Sequence, residues 1–229
     1  MRPLVIAHRG ASGTELENSL AAFRAAAAQG ADGVELDVHA TADGELIVHH
    51  DEGVGGTSIS RSSARAIAAL RLANGEPVPT LSQALAAIAP RLQVFVEVKT
   101  LAPRWDERLL ETLDRGPNPP GYAVHSFDHR IVRRLGERRA TLTCGVLATA
   151  YFVRPVAALE DARASVLWQE RSLADEMLVR TVHGAGAKLI VWTVDEPAEI
   201  TRFVGWGVDG ICTNFPEPAR RVVDAHRAA

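Results

Sequence analysis

Eight times along its 229 residues the chain exchanges a short β-rich run for an alanine- and leucine-rich helical stretch, and no other feature restricts its fold as tightly. The β-rich runs are Leu4–His8, Gly33–His39, Leu92–Lys99, Tyr122–Ser126, Thr141–Leu147, Ser165–Gln169, Lys188–Val194 and Val208–Thr213. Helical patterns fall near Ser19–Gln29, Leu81–Ala89, Trp105–Arg115, His129–Arg138, Val156–Asp161, Leu173–Gly184, Pro197–Trp206 and Pro216–Arg227. Such alternation predicts parallel strands, each joined to the next by a covering helix. Eight units close into an α/β (β/α)₈ TIM barrel; an open doubly wound sheet is the competing arrangement. Polar residues gather where the strands end, which favours the barrel, whose sites are built at that rim. No linker or low-complexity tract interrupts the chain, so residues 1–229 read as a single barrel domain. The least regular stretch, 51–79, reads as a short insertion after strand two, with a helical piece over Ser62–Leu72.

Side-chain parity within the strands carries the chemistry. Side chains alternate across a strand, so in Gly33–His39 the residues Val34, Leu36 and Val38 face one way and Glu35, Asp37 and His39 the other. The aliphatic set must pack against the helices, which turns the two acids into the barrel. The same parity turns Glu97 and Lys99 inward from Val94–Lys99. Like charges confined in a protein interior repel and lose hydration, at a cost of several kcal/mol unless a positive group lies among them. An oxygen-only set of Glu35, Asp37 and Glu97 suits one hard divalent cation, Mg²⁺, Ca²⁺ or Mn²⁺, and lacks the sulfur and histidine spacing of structural zinc.

Two histidine positions complete the set. The first strand ends in His8-Arg9-Gly10, and His49-His50-Asp51 follows strand two. Cleavage of a phosphodiester needs an acid for the leaving alkoxide and a base for the attacking oxygen, and histidine titrates in the range where it can serve as either. An arginine and a cation stabilise charge on the phosphoryl oxygens. His49 and His50 are adjacent and do not easily share one site, so at least one of them is structural. His39 and His125, also near strand ends, read as structural or substrate-lining.

The run His8-Arg9-Gly10-Ala11-Ser12-Gly13, with Glu17-Asn18-Ser19 and Gly30-Ala31-Asp32-Gly33-Val34-Glu35-Leu36-Asp37-Val38, resembles the N-terminal signature of the glycerophosphodiester phosphodiesterases. Matches continue at Thr41, Asp43-Gly44, His50-Asp51-Glu52, Pro79-Thr80-Leu81, Glu97-Val98-Lys99, Ser126-Phe127-Asp128, Val191-Trp192-Thr193-Val194 and Gly207-Val208-Asp209-Gly210-Ile211. The resemblance implies a phosphodiesterase barrel releasing sn-glycerol 3-phosphate and an alcohol. It implies His8 and His50 as the acid/base pair, Arg9 and Lys99 on the phosphate, Trp192 lining the pocket, and Glu35, Asp37 and Glu97 holding one cation. Departures lie outside that set. Leu16 stands where the family commonly has proline, Val54-Gly55-Gly56-Thr57 replaces an arginine-bearing stretch, and Asp195 and Asn214 replace the Asn and Asp often found there. The related readings are a lysophospholipase D or another phospholipase C-like enzyme on the same barrel, and a silent barrel that only binds a phosphorylated metabolite. An apolar lip on 51–79 would favour lipid substrates; its Gly, Ser and Arg content points to a soluble one.

Composition narrows the partners. A net charge of -3 argues against nucleic acid. The apolar run at the N-terminus is too short for a signal peptide, and no stretch approaches the ~20 apolar residues of a membrane span. The expectation is a cytoplasmic enzyme of a small glycerophosphodiester, with no membrane insertion and no obligatory protein partner. Cys144 and Cys212 sit in separate strand-like runs and read as buried free thiols.

Overall fold

The computed structural model describes residues 2–228. Eight strands run parallel around a closed barrel: β1 (Leu4–Ala7), β2 (Gly33–Ala40), β6 (Gln93–Thr100), β7 (Tyr122–Ser126), β8 (Thr143–Ala148), β9 (Val166–Glu170), β10 (Lys188–Trp192) and β11 (Gly210–Thr213). Closure comes from β1, which pairs with both β11 and β2. The covering helices are α1 (Leu20–Ala28), α3 (Leu81–Ala87), α4 (Asp106–Asp114), α5 (His129–Arg138), α6 (Pro155–Ala162), α7 (Glu176–Gly184), α8 (Pro197–Trp206) and α9 (Pro216–Ala228). Short polar side chains start several of them. Ser19, Thr80, Asp128 and Asp175 each accept a backbone N–H of the first turn, and Thr80 and Gln83 cap reciprocally.

The strand parity expected from the sequence holds. Val34, Leu36, Val38, Val94, Val96 and Val98 lie in the large core between barrel and helices. Inside the barrel a smaller core of Ile6, Phe95, Ala123, Leu147, Val166, Trp168, Ile190 and Cys212 fills the interior. Gly145 allows that packing, because a Cβ there would stand 2.9 Å from the Trp168 ring and 3.2 Å from His125 Cβ. Both cysteines are free and buried.

Expected strand boundaries shift by one or two residues. The first strand stops at Ala7, before His8; the fifth starts at Thr143; the seventh stops at Trp192; and the eighth starts at Gly210. The segment after β2 is more structured than its sequence implies. A third strand, β3 (Leu46–Val48), folds back antiparallel on β2, and β4 (Gly53–Val54) pairs with β5 (Thr57–Ser58). Three residues are too few to display a period, which is why β3 escapes sequence reading. The helical piece is shorter than expected, only α2 (Ala64–Ala68), started by the Ser63 side chain. Ile47, Val54, Ile59, Ile67, Leu72 and Val78 give the insertion its own apolar core, seated on β3.

That separate core predicts separable stability. Ile67→Ala should cost about 2–5 kcal/mol locally, and hydrogen exchange should quicken across 51–79 while β7 to β9 stay protected. Uniform loss of protection across the barrel would contradict an independently packed insertion.

Candidate active site

Strand register assembles the charged cluster. Asp37 on β2 pairs with Glu97 on β6, and Glu97 with His125 on β7, so the three sit side by side at one level of the barrel. One level below on β2, Glu35 is opposite Phe95. Glu35, Asp37, Glu97 and His125 are all buried. Arg9 and Lys99 supply the opposing charge. Lys99 Nζ lies 2.6 Å from Glu97 Oε1 and 3.1 Å from Asp37 Oδ1, and Arg9 Nε lies 3.1 Å from Asp37 Oδ2. Three carboxylates thus face two permanent cations.

The turn after β1 aims the first histidine and the arginine. Arg9 adopts a left-handed φ of 55° and Gly10 one of 82°, and a Cβ on Gly10 would strike Ala22 at 2.7 Å. This bend lets the Arg9 backbone N–H donate to Glu35 Oε2 (3.0 Å) while its Nη1 donates to Glu17 Oε2 (2.8 Å). Asn18, also left-handed at φ 56°, donates from Nδ2 to Asp37 Oδ2 at 2.7 Å. Asn18 was visible in the sequence only as part of a signature, with no chemical role attached.

His8 is oriented by a relay that sequence reasoning missed. Asn214 donates from Nδ2 to Asp195 Oδ2 (2.7 Å), and the Asn214 backbone N–H donates to Asp195 Oδ1 (2.8 Å). An ionised carboxylate only accepts, so the amide nitrogen of Asn214 must face Asp195 and its oxygen must face away. That oxygen lies 2.8 Å from His8 Nδ1, which therefore carries the proton, and Nε2 is left with its lone pair. The signal was the exchanged Asn/Asp pair, whose two members are 19 positions apart and meet only in the folded barrel.

Burial dominates the electrostatics. It pushes the Glu35 carboxyl well above its ordinary value, with Asp37 and Glu97 adding to the rise. Glu97 is raised to about 7 by burial and then by Asp37, against the pull of Lys99. Asp37 takes the opposite course: burial pushes it up, but Lys99, Arg9 and the Asn18 hydrogen bond together hold it below the usual carboxylate range. Burial, then Arg9, lowers His8, and burial takes His125 down to about 3, so both rings are neutral at neutral pH.

A cavity of about 240 Å³ opens over this cluster, lined on one side by His8, Arg9, Glu35, His50, Glu97 and Lys99. Its other wall is apolar and aromatic, including Phe127, Trp168 and Trp192, with the Phe127 and Trp192 rings edge to face at 5.7 Å. His50 reaches the cavity and pairs through Nδ1 with Asp51 Oδ1 at 2.8 Å; His49 does not line it. His39 is a brace, with Nε2 3.1 Å from the His50 carbonyl oxygen. His125 lies at the carboxylates and stacks on Trp168 at 4.2 Å.

The donor chemistry fits a cation. Ligand atoms of Glu35, Glu97 and His125 lie within 4.8 Å of one another. Lys99 Nζ is the positive neighbour that Asp37 Oδ1 and Glu97 Oε1 share, and His125 Nε2 lies 3.9 Å from Glu35 Oε1. Three buried carboxylates close together leave oxygen lone pairs in excess of the available donors, a set that suits a cation.

The same architecture occurs in known proteins. A structure of a glycerophosphodiester phosphodiesterase from Parabacteroides distasonis superposes with a TM-score of 0.90 at 26% identity, covering 100% of this chain and 99% of the other. An Oleispira antarctica phosphodiesterase, solved with the product sn-glycerol-3-phosphate, shares the fold with a TM-score of 0.90 at 22% identity over 97% of each chain. The Glycerophosphodiester phosphodiesterase of Caldanaerobacter subterraneus subsp. tengcongensis is 33% identical over 95% of this chain and 96% of its own length. The sequence profile of the Glycerophosphoryl diester phosphodiesterase family matches residues 8–218. A match of that extent, together with the full-length relative, means that this chain belongs to the glycerophosphoryl diester phosphodiesterase family.

Proposed function

We propose that the protein hydrolyses glycerophosphodiesters to sn-glycerol 3-phosphate and an alcohol, with a divalent cation and a His8/His50 pair. The observation that carries this reading is the buried cluster of three carboxylates at a cavity that is also lined by His8, His50 and His125, an arginine and a lysine. Glu35, Asp37 and Glu97 would hold Mg²⁺, Ca²⁺ or Mn²⁺, with His125 within reach of the same position. When bound, the cation supplies charge for the phosphoryl oxygens. Arg9 and Lys99 orient the phosphate, each anchored by one oxygen of Asp37. His8 takes a proton at Nε2 from the attacking oxygen, because Asn214 holds its Nδ1–H. His50, steadied by Asp51, returns a proton to the leaving alkoxide. Trp192 packs against the alcohol. No helix among the described residues is long and apolar enough to cross a membrane; we infer a cytoplasmic enzyme acting on small molecules.

Four outcomes test this. Release of glycerol 3-phosphate from glycerophosphocholine should require a divalent cation and vanish with EDTA or Glu35→Gln. Protons compete with the cation, since Glu97 titrates near 7 and Glu35 is also raised. These raised carboxyls favour the ion-free fold at low pH and weaken it as pH rises through their folded values. Thermal stabilisation by added cation should therefore be larger at pH 8 than at pH 6. Equal shifts at both would remove these acids from the cation site.

His8→Ala should lower kcat by about 10²- to 10⁴-fold. Because the His8 pKa is lowered, the base form persists as pH falls below 6.5, so with cation held saturating at every pH the acid limb of the parent's kcat/KM profile should lie under that value. Residual activity with an unchanged acid limb in His8→Ala would reassign the base.

Asp195→Asn frees the Asn214 amide to rotate and should lower kcat about 10- to 100-fold with little change in KM. Nitrogen NMR of the His8 ring should then lose the single Nδ1–H form. An undisturbed tautomer would leave Asp195 a purely structural role.

A further inference from the structure

His125 is a polar residue in apolar company. Ala123, two residues earlier on β7, belongs to the apolar core inside the barrel, so the alternation of the strand turns His125 inward as well. Its side chain is 1% exposed. The imidazole stacks flat on Trp168, with ring centroids 4.2 Å apart and planes 6° from parallel. Trp168 is held in turn by Phe95, edge to face at 5.3 Å. Packing therefore fixes the plane of the ring before any ligand arrives.

Packing alone gives no reason for nitrogen at this position. Nδ1 is buried without a hydrogen-bond partner, and Nε2 stands 3.9 Å from Glu35 Oε1, outside hydrogen-bonding reach. Buried polar atoms left unpaired cost free energy, and a leucine or phenylalanine would line the same wall without that cost. The ring is nevertheless aimed at the charged cluster. His125 lines the cavity, pairs in register with Glu97, and offers a ligand atom within 4.8 Å of those of Glu35 and Glu97. Two donors that each bind one ion at about 2.1 Å stand no more than about 4.2 Å apart. The 3.9 Å from Nε2 to Glu35 Oε1 falls inside that limit.

We propose that His125 Nε2 is a fourth ligand of the cation, beside Glu35, Asp37 and Glu97, and that this nitrogen makes the site select Mn²⁺ over Mg²⁺ and Ca²⁺. Carboxylates serve all three ions. The two alkaline-earth ions bond through oxygen and gain little from an imidazole, whereas a transition ion gains affinity from it. The inference rests on the cation of the phosphodiesterase reading above and names its ligand set and identity.

The test titrates protein dialysed free of metal with Mn²⁺, Ca²⁺ or Mg²⁺ alone, at one pH, and reads heat and thermal unfolding rather than turnover. Mn²⁺ should bind at least about tenfold tighter than either other ion. His125→Asn offers an oxygen in place of the nitrogen. It should weaken Mn²⁺ by about 10- to 100-fold and leave Ca²⁺ within a few-fold of the parent. Pulsed EPR of the Mn²⁺-loaded parent should show coupling to a directly bound nitrogen nucleus, and His125→Asn should lose it. A Mn²⁺-loaded parent without that coupling would overturn the proposal whether or not the variant folds. So would the lack of a Mn²⁺ preference in the parent, or a preference or nitrogen coupling that survives in folded His125→Asn. A folded parent that binds none of the three ions would instead sink the cation in the phosphodiesterase reading.

Discussion

Three carboxylates buried in one barrel are the constraint around which the structure is arranged. Each loses hydration, and each raises the energy of the others. Two cations on opposite sides, Arg9 from the turn after β1 and Lys99 from β6, answer that repulsion, and both converge on Asp37. Asp37 is the member that stays ionised, while Glu35 and Glu97 are raised and hold protons more readily in the ion-free protein. A bound cation would displace those protons and meet the carboxylates in their ionised form.

Much of the surrounding backbone serves that cluster. Left-handed residues at Arg9 and Asn18 bring a backbone N–H to Glu35 and a side-chain amide to Asp37. Such conformations cost free energy for residues with a Cβ and persist where neighbouring contacts enforce them. The relay from Asp195 through Asn214 to His8 applies the same logic to a proton: a carboxylate outside the cavity decides which nitrogen inside it is free. Placing an amide between the carboxylate and the ring also keeps full negative charge off the imidazole, in keeping with its lowered pKa.

The cavity has two unlike walls, and their difference follows from topology. The first three barrel strands bring the acids, Arg9, Lys99 and, by way of the loop after β3, His50. The later strands bring Phe127, Leu147, Trp168 and Trp192. A phosphodiester is itself two-sided, a charged centre with organic substituents. One half of the barrel therefore meets the phosphate and the other its substituents.

The local patterns were legible in the sequence. Period-two alternation in Gly33–His39 and Val94–Lys99 assigned Glu35, Asp37, Glu97 and Lys99 to the interior, because burial leaves an aliphatic stripe only one direction to face. The eightfold β/α alternation set the architecture, since each parallel pairing requires a crossover. Hydrophobic period could not show β3, the independent core of the insertion, or which of His49 and His50 reaches the cavity, since the turn after β3 decides that. Nor could it reveal His125 beside Glu97, or Asp195 behind Asn214. Those neighbours lie tens of residues apart or follow an irregular turn, and they meet only through strand register and barrel closure. Composition and periodicity act within a strand or a helix, so they determined what each element presents; the closing of the barrel decided what each presented side chain touches.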